Sequence, residues 1–324
     1  MDPRITVSDA ALCLAKTKAW LLASLKERSL PYVKTASQEH FAHHTARQVF
    51  NFSLKPKVMV FQIVKGGTGK TSLVRELAIR ASLYGAKVLC VDMDQQGNLS
   101  LAFNQNADEL AVMIDVLVDH YPINDAIIEV LPGIDLLPSR FDNALLDAVI
   151  TQKNMPLDQI YREPFQAFKK NYDLILVDCP PSLGQSVSAC ALAADCIIAP
   201  VVPEKFALAG LDMVYQVIKE LEQRFQVKLP LGVLLNKFES KTRMSFDTLG
   251  YLLRHPKYGA HLLKNTVRYS NDFPKSIAEN RSIFDTLKTS IAKEDIDCLT
   301  RELLNIHALT SSASVRLETT ADVV

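Results

Sequence analysis

Apolar residues along this chain keep two rhythms. Short continuous runs occupy positions 58–64, 87–92, 172–178, 195–202 and 229–235, each rich in valine, leucine or isoleucine. Runs of that length without polar alternation suit strands buried on both faces. Between them the apolar positions return every three or four residues. This is clearest over 73–84, which stops at Gly85, and over 289–306. These are helices, the first ended by a glycine. Strands alternating with helices predict an α/β fold: a mostly parallel twisted sheet flanked by helices, with right-handed crossovers. The stretch 107–170 reads as mostly helical, broken by one strand over 133–138. Phe141, Leu145, Leu146 and Val149 are packing positions there, with no evident site chemistry.

Residues 1–54 have a different texture. Ser8 is a candidate N-cap for a helix over 9–15. A turn at Lys16-Thr17 leads into a second helix over 18–28, with Ala19, Leu22 and Leu25 at helical spacing. Residues 30–35 read as a strand, 37–41 as a small hairpin and 44–50 as a third helix. This order resembles a MerR-like winged helix-turn-helix. The resemblance implies a second helix in the major groove and a wing on the backbone. Lys16, Thr17 and Lys18, with Lys26, Arg28 and Lys34 nearby, would then contact DNA. The same pattern also suits an amphipathic arm that packs on the rest of the chain or on a second subunit. His40, His43 and His44 have no cysteine or carboxylate cluster beside them, which argues against a metal site. The expected divisions are 1–54, 55–306 and a loose Ser/Thr-rich tail over 307–324.

The bulk numbers narrow the partners. In 324 residues the formal net charge is zero, so any nucleic-acid binding must come from local patches. There is no run of about 18 apolar residues and no secretory-type leader, so neither a membrane span nor export is expected. The six cysteines, Cys13, Cys90, Cys179, Cys190, Cys196 and Cys298, form no C-x-x-C pair. Most sit in apolar runs, as reduced thiols of a cytoplasmic protein do.

The chemistry is concentrated where the run 58–64 meets Lys65-Gly-Gly-Thr-Gly-Lys-Thr-Ser72. A strand, a glycine-rich turn and a helix start make an anion site, because free N–H groups and the positive end of the helix converge there. Lys70 would place an ammonium on the β- and γ-phosphates, and the Thr71 hydroxyl would bind Mg²⁺. Gly66, Gly67, Thr68, Gly69 and Ser72 would complete the nucleotide loop. The ordinary P-loop carries a glycine where this chain has Val64, and Lys65 opens the run instead. That Lys-Gly-Gly-x-Gly-Lys-[Ser/Thr] pattern resembles the deviant Walker A ATPases, the family of ParA and MinD.

Further motifs follow in that family's order. Asp92-Met-Asp-Gln-Gln-Gly-Asn98 resembles its D-x-D-P-Q-x-N switch, with Gln95 where the family has proline. Asp178-Cys-Pro-Pro181 resembles D-x-P-P. Residues 203–211 resemble P-x-x-x-x-A-L-x-G, and Asn265-Thr-Val-Arg-Tyr-Ser270 resembles N-V-R-x-S. The resemblance implies roles. Asp94 would hold the attacking water, and Asp178 a water on Mg²⁺. Asp92 would brace the loop or the Mg²⁺ waters, and Asn236 would touch adenine. Lys65 would reach across an ATP-dependent homodimer to the partner's nucleotide. Arg268, with Lys241 or Arg243, would bind DNA without sequence preference, although a solvated basic face fits those residues too.

The implied function is that of a ParA-type partition ATPase. It would be cytoplasmic and nucleoid-associated, stimulated by a ParB-like centromere-binding protein, and able to repress its own operon. Two rivals stand beside it: a nucleotide-gated transcriptional repressor, and a ParA-like positioning ATPase for a non-DNA cargo. The tail is not a basic amphipathic helix, which disfavours a MinD-like membrane anchor. No paired cysteines sit at cluster-bridging positions, which disfavours an iron–sulfur reductase.

Overall fold

The computed structural model describes residues 1–306 other than 37, 205 and 206. The tail expected to be loose lies outside the described residues, as do position 37 of the small hairpin and positions 205 and 206 of the 203–211 motif. The chain opens with three short antiparallel strands, β1 (Ile5–Thr6), β2 (Val33–Lys34) and β3 (Glu39–Phe41), in the order β1-β3-β2. Helices α1 (Val7–Cys13), α2 (Lys18–Glu27) and α3 (His43–Phe50) surround them. The cap of α1 is Thr6 rather than Ser8: the Thr6 hydroxyl accepts the Asp9 N–H at 2.9 Å. Ser8 already lies inside the first turn, where its side chain cannot serve that purpose.

The main sheet has seven strands: β4 (Lys57–Phe61), β5 (Val88–Asp92), β6 (Ile128–Leu131), β7 (Ile134–Leu137), β8 (Leu174–Asp178), β9 (Cys196–Val201) and β10 (Leu231–Leu235). Their order is β10-β9-β4-β8-β5-β7-β6. Every pairing is parallel except β6–β7. All five of the continuous apolar runs are therefore strands of one parallel sheet. The region 107–170 departs from its expected single strand. It holds a hairpin that turns at Pro132-Gly133, plus short helices at Met113–Val118, Leu146–Gln152 and Arg162–Phe168. β6 is an edge strand of four residues, one exposed, one buried and two between, too short to show a period of two.

Helix α4 (Lys70–Leu83) runs from the glycine turn through the middle of the molecule. Every residue in it except Thr71 and Ser72 is buried. It packs between the sheet, α3 and the C-terminal helix Ile291–Leu304. Arg75 is fully buried and pairs with Glu76 at 2.7 Å. Ser282 donates to the other Glu76 oxygen at 2.7 Å, and Arg75 also donates to the Arg281 carbonyl. Removing one member of such a buried pair costs about 3–5 kcal/mol, because the other charge is left desolvated. Farther along α4, Arg80 and the Tyr84 hydroxyl both donate to Asp297 of the C-terminal helix, each at 2.5 Å.

The N-terminal segment joins this core. Phe50 meets Tyr84 edge to face at 5.3 Å, and Arg47 donates to the Gly85 carbonyl at 2.8 Å and to Asp173 at 3.1 Å. Packing on the rest of the chain, one of the two readings of residues 1–54, is what α3 does. The joint requires Gly85. Its φ is +86°, and a β-carbon there would come within 2.5 Å of the Arg47 Cα. Gly85→Ala should therefore lower stability by more than the roughly 1–2 kcal/mol of a left-handed backbone alone. Urea unfolding of the purified protein checks this, and an unchanged midpoint would show that the close approach is not formed in solution.

Candidate nucleotide site

Parallel register brings three strand ends to one level. Phe61 of β4 and Asp92 of β5 both pair with Asp178 of β8. Beyond those ends lies a cavity of about 830 Å³, lined by the whole stretch from Gly66 to Leu73 and by Asp94, Asn236, Lys237 and Arg268. Such a crevice at the carboxyl ends of the strands is where open α/β sheets bind ligands. Of the expected site residues, Gly66, Gly67, Thr68, Gly69, Lys70, Thr71, Ser72, Asp94, Asn236 and Arg268 share this one wall.

The charges at its floor are unusual. Lys70 is 7% exposed and forms no ion pair with any described residue. Thr71 donates its hydroxyl to Asp178 Oδ2 at 2.6 Å. Asp178 Oδ1 and Thr68 Oγ1 are both buried without a hydrogen-bond partner. Burial, with Asp92 close by, pushes the Asp178 carboxyl up to about 8. A hard cation suits this donor set, in which a threonine hydroxyl and an orphaned carboxylate oxygen stand side by side. The backbone N–H groups of Gly67, Thr68, Gly69 and Lys70 donate to no described residue, which leaves them for an anion.

Asp92 is engaged by the loop that follows it. Its Oδ2 accepts the Ser100 N–H at 2.9 Å and the Ser100 hydroxyl at 2.8 Å, and its Oδ1 accepts the Asp94 N–H at 3.2 Å. Burial nevertheless raises it to about 7. Asp92 thus braces the loop 94–100 from below. Asp94 lines the cavity and accepts the Gln96 N–H at 3.0 Å. Gln95 replaces the family's proline without opening the turn, since the Gly97 N–H closes it on the Asp94 carbonyl at 2.8 Å.

Other expected residues stand elsewhere or are occupied. Lys65 does not line the cavity and is ion-paired with Glu204. Asn236 donates its side-chain N–H to the Thr68 carbonyl at 2.7 Å. Arg268 is held by Asp295, with Nη2 to Oδ1 at 2.6 Å, and by Glu294 at 3.3 Å. Lys241 and Arg243 are exposed, the latter 3.5 Å from Asp247. In the N-terminal segment Thr17 is the cap of α2, Lys18 pairs with Glu39 at 2.7 Å, and Lys16 lies 5.4 Å from the centre of the Trp20 ring. Sequence reasoning missed the apolar wall of the cavity: Phe273, Pro274 and Ile277. Phe273 and Ile277 stand four residues apart, a helical signal hidden among basic residues.

Comparison with known proteins places this site among relatives. A family model described as an AAA domain matches residues 56–231. The chain is 27% identical over 251 residues to the cell division protein PomZ of Myxococcus xanthus, covering 76% of this chain and 77% of that one. It is 30% identical over 196 residues to the chromosome partitioning protein ParA of Caulobacter vibrioides, covering 58% and 72%. A plasmid partition protein from Borrelia burgdorferi bound to AMPPNP has the same fold, with a TM-score of 0.63 at 24% identity over 78% of this chain and 99% of that one.

The raised carboxyl at the floor has a consequence for pH. A group whose folded value exceeds its unfolded value of about 4 favours the fold at low pH, and that contribution is lost as pH rises toward about 8. Asp178→Asn should therefore melt higher than the parent at pH 8, with the gap closing as pH falls toward about 4. Thermal melts of the nucleotide-free protein across that range decide it; a gap independent of pH would mean that Asp178 is not desolvated.

Proposed function

The chain belongs to the ParA family of AAA-domain proteins, and from that premise we propose that it is a partition ATPase. It would hydrolyse ATP with Mg²⁺ while cycling on and off DNA. One observation carries the reading. Lys70, largely enclosed and without an ionic partner among the described residues, lines the cavity at a row of free backbone N–H groups beside the Thr71–Asp178 pair. A cation facing a cavity beside free N–H groups at a helix start makes a site for an anion. A triphosphate does so, with its β- and γ-phosphates on Lys70 and the loop amides.

Mg²⁺ would be held at Thr71 and, directly or through water, at Asp178, and when bound it neutralises phosphate charge. The remaining work belongs to positioning. Asp94 keeps one oxygen on the Gln96 N–H and has the other to orient a water. Asp92 fixes the loop that carries Asp94. Asn236 and the apolar wall of Phe273, Pro274 and Ile277 bound the space for the base. Lys65 would exchange Glu204 for the phosphates of a second copy, which makes dimerisation dependent on the nucleotide.

DNA binding by the ATP dimer would rest on Lys241 and Arg243, the exposed cations of this face, and would weaken with salt. Arg268 contributes less than its motif implies, because two carboxylates already neutralise it. A ParB-like partner would stimulate hydrolysis. Lys16, in the turn before α2, and Lys18, its first residue, would serve operator binding and repression. A positioning role for a non-DNA cargo is the second reading, favoured by the occupied state of Arg268. Salt-dependent retention of the ATP-bound protein on plain duplex DNA separates the two.

Two variants probe the mechanism. Asp94→Ala should bind ATP and dimerise yet hydrolyse at least about 100-fold more slowly, the scale of losing one oriented polar group at the reacting centre. Turnover at the parental rate would remove Asp94 from its role. Lys65→Ala should retain nucleotide as a monomer and fail to form ATP-dependent dimers in light scattering. Dimers of normal abundance would refute the exchange of Glu204 for a partner's phosphate.

A further inference from the structure

We propose that Asn236 and Lys237 together form a latch that sets the shape of the phosphate-binding loop, which makes Lys237 a positioning residue for the nucleotide. This inference rests on the ATPase reading above and goes beyond it. Lys237 donates from its ammonium to the Gly67 carbonyl at 2.8 Å. Its neighbour Asn236 donates to the next carbonyl, that of Thr68, at 2.7 Å. Two adjacent donors from one strand end thus hold two adjacent peptide planes of the loop. A peptide is planar, with its C=O and N–H pointing in opposite directions. Drawing the Gly67 and Thr68 oxygens toward the latch therefore turns the Thr68 and Gly69 N–H groups away from it. Those two groups have no partner among the described residues, as an anion cradle requires.

The backbone supports a functional reading of this lysine. Lys237 has φ +54°, in the left-handed region where a side chain costs roughly 1–2 kcal/mol and glycine costs almost nothing. The conformation is imposed from both sides. The Asn236 N–H is fixed on the Val201 carbonyl at 2.7 Å and the Phe238 N–H on the Val267 carbonyl at 3.0 Å. A lysine kept where glycine fits better points to use of its side chain. The approach is close: a β-carbon on Gly69 would lie 2.7 Å from Asn236 Nδ2, so the latch also explains why that position is glycine. The same clamp carries the opposite wall of the cavity, because the Tyr269 N–H is held by the Phe238 carbonyl at 3.0 Å. Residues 236–238 therefore set the distance between the phosphate loop and the wall at 268–270.

Two substitutions separate positioning from plain structure. Lys237→Met removes the ammonium and keeps the strained backbone. Lys237→Gly removes the ammonium and relieves the strain. The readouts are release of a fluorescent ADP in Mg²⁺, KM and kcat for ATP, and melting of the nucleotide-free protein. Both variants should release ADP about tenfold faster, as loss of one charged hydrogen bond behind the site allows. Both should raise KM by a similar factor with kcat within about twofold, the signature of lost ground-state binding. The glycine variant should melt no lower than the parent. Unchanged ADP release in Lys237→Met would overturn the latch. So would a fall in melting temperature in both variants that accounts for the lost binding. A parent protein that takes up no nucleotide would overturn the ATPase reading first, and the latch with it.

Discussion

Two carboxyl groups lie buried at the ends of adjacent parallel strands beside a cation that faces the cavity, and the protein alone completes only one of the three. Lys70 has no ionic partner among the described residues, and Asp178 keeps one oxygen unpaired. Asp92 is satisfied only because the loop above it supplies three donors. Groups in this state raise the free energy of the empty fold, since burial without full hydrogen bonding is unfavourable. The rise in the Asp178 and Asp92 carboxyls expresses the same penalty. Function enters as the ligand that removes it: a polyanion with a divalent cation satisfies Lys70 and the free Asp178 oxygen at once. The empty site is thus strained toward its ligand, and binding stabilises the fold by mass action.

That strain is held by elements that do not themselves touch the ligand. α4 begins at the glycine turn and ends against the N-terminal segment, and its middle is fixed by the Arg75–Glu76 pair and the Arg80–Asp297 contact. Buried ion pairs of this kind add little net stability but lose much when broken. They act as pins that fix the helix axis. The N-terminal segment docks on the last turn of the same helix through Ser82, Tyr84 and Gly85. A rigid element with a nucleotide loop at one end and a second module at the other is a physical connection between the two.

Much of this was legible in the chain. The five apolar runs became β4, β5, β8, β9 and β10 because fully buried strands have no polar face to obscure them. Lys65 through Ser72 declared the loop because two lysines beside three glycines make little sense in any other setting. β6 escaped because four residues at a sheet edge are too few to carry a period, and the cap of α1 was misplaced by two residues because Thr6 and Ser8 offer equivalent hydroxyls. Asp92 shows a deeper limit of pattern reading. Strand-end carboxylates look alike in sequence, and only the three-dimensional path of residues 94–100 shows which of them is used up by N–H donors. Arg268 is the same case with the sign reversed: its motif is visible, whereas Glu294 and Asp295 lie 26 and 27 residues away.

One pattern runs through these residues. Sequence shows which groups can bind, while the fold decides which of them are already bound. Asp92, Asn236, Lys65 and Arg268 were all chosen for their chemistry, and each has an internal partner in the structure. Lys70, Asp178 and the loop amides were chosen on the same grounds and retain unused capacity. The division follows from where solvent is excluded. At the strand ends a donor or acceptor must find a partner or raise the energy of the fold, so a group left incomplete there is a stronger indication of ligand than its residue type. By that criterion the strongest marks of a ligand are the Lys70 ammonium, one Asp178 oxygen and a short row of backbone N–H groups. The surrounding charged side chains hold that small set in place.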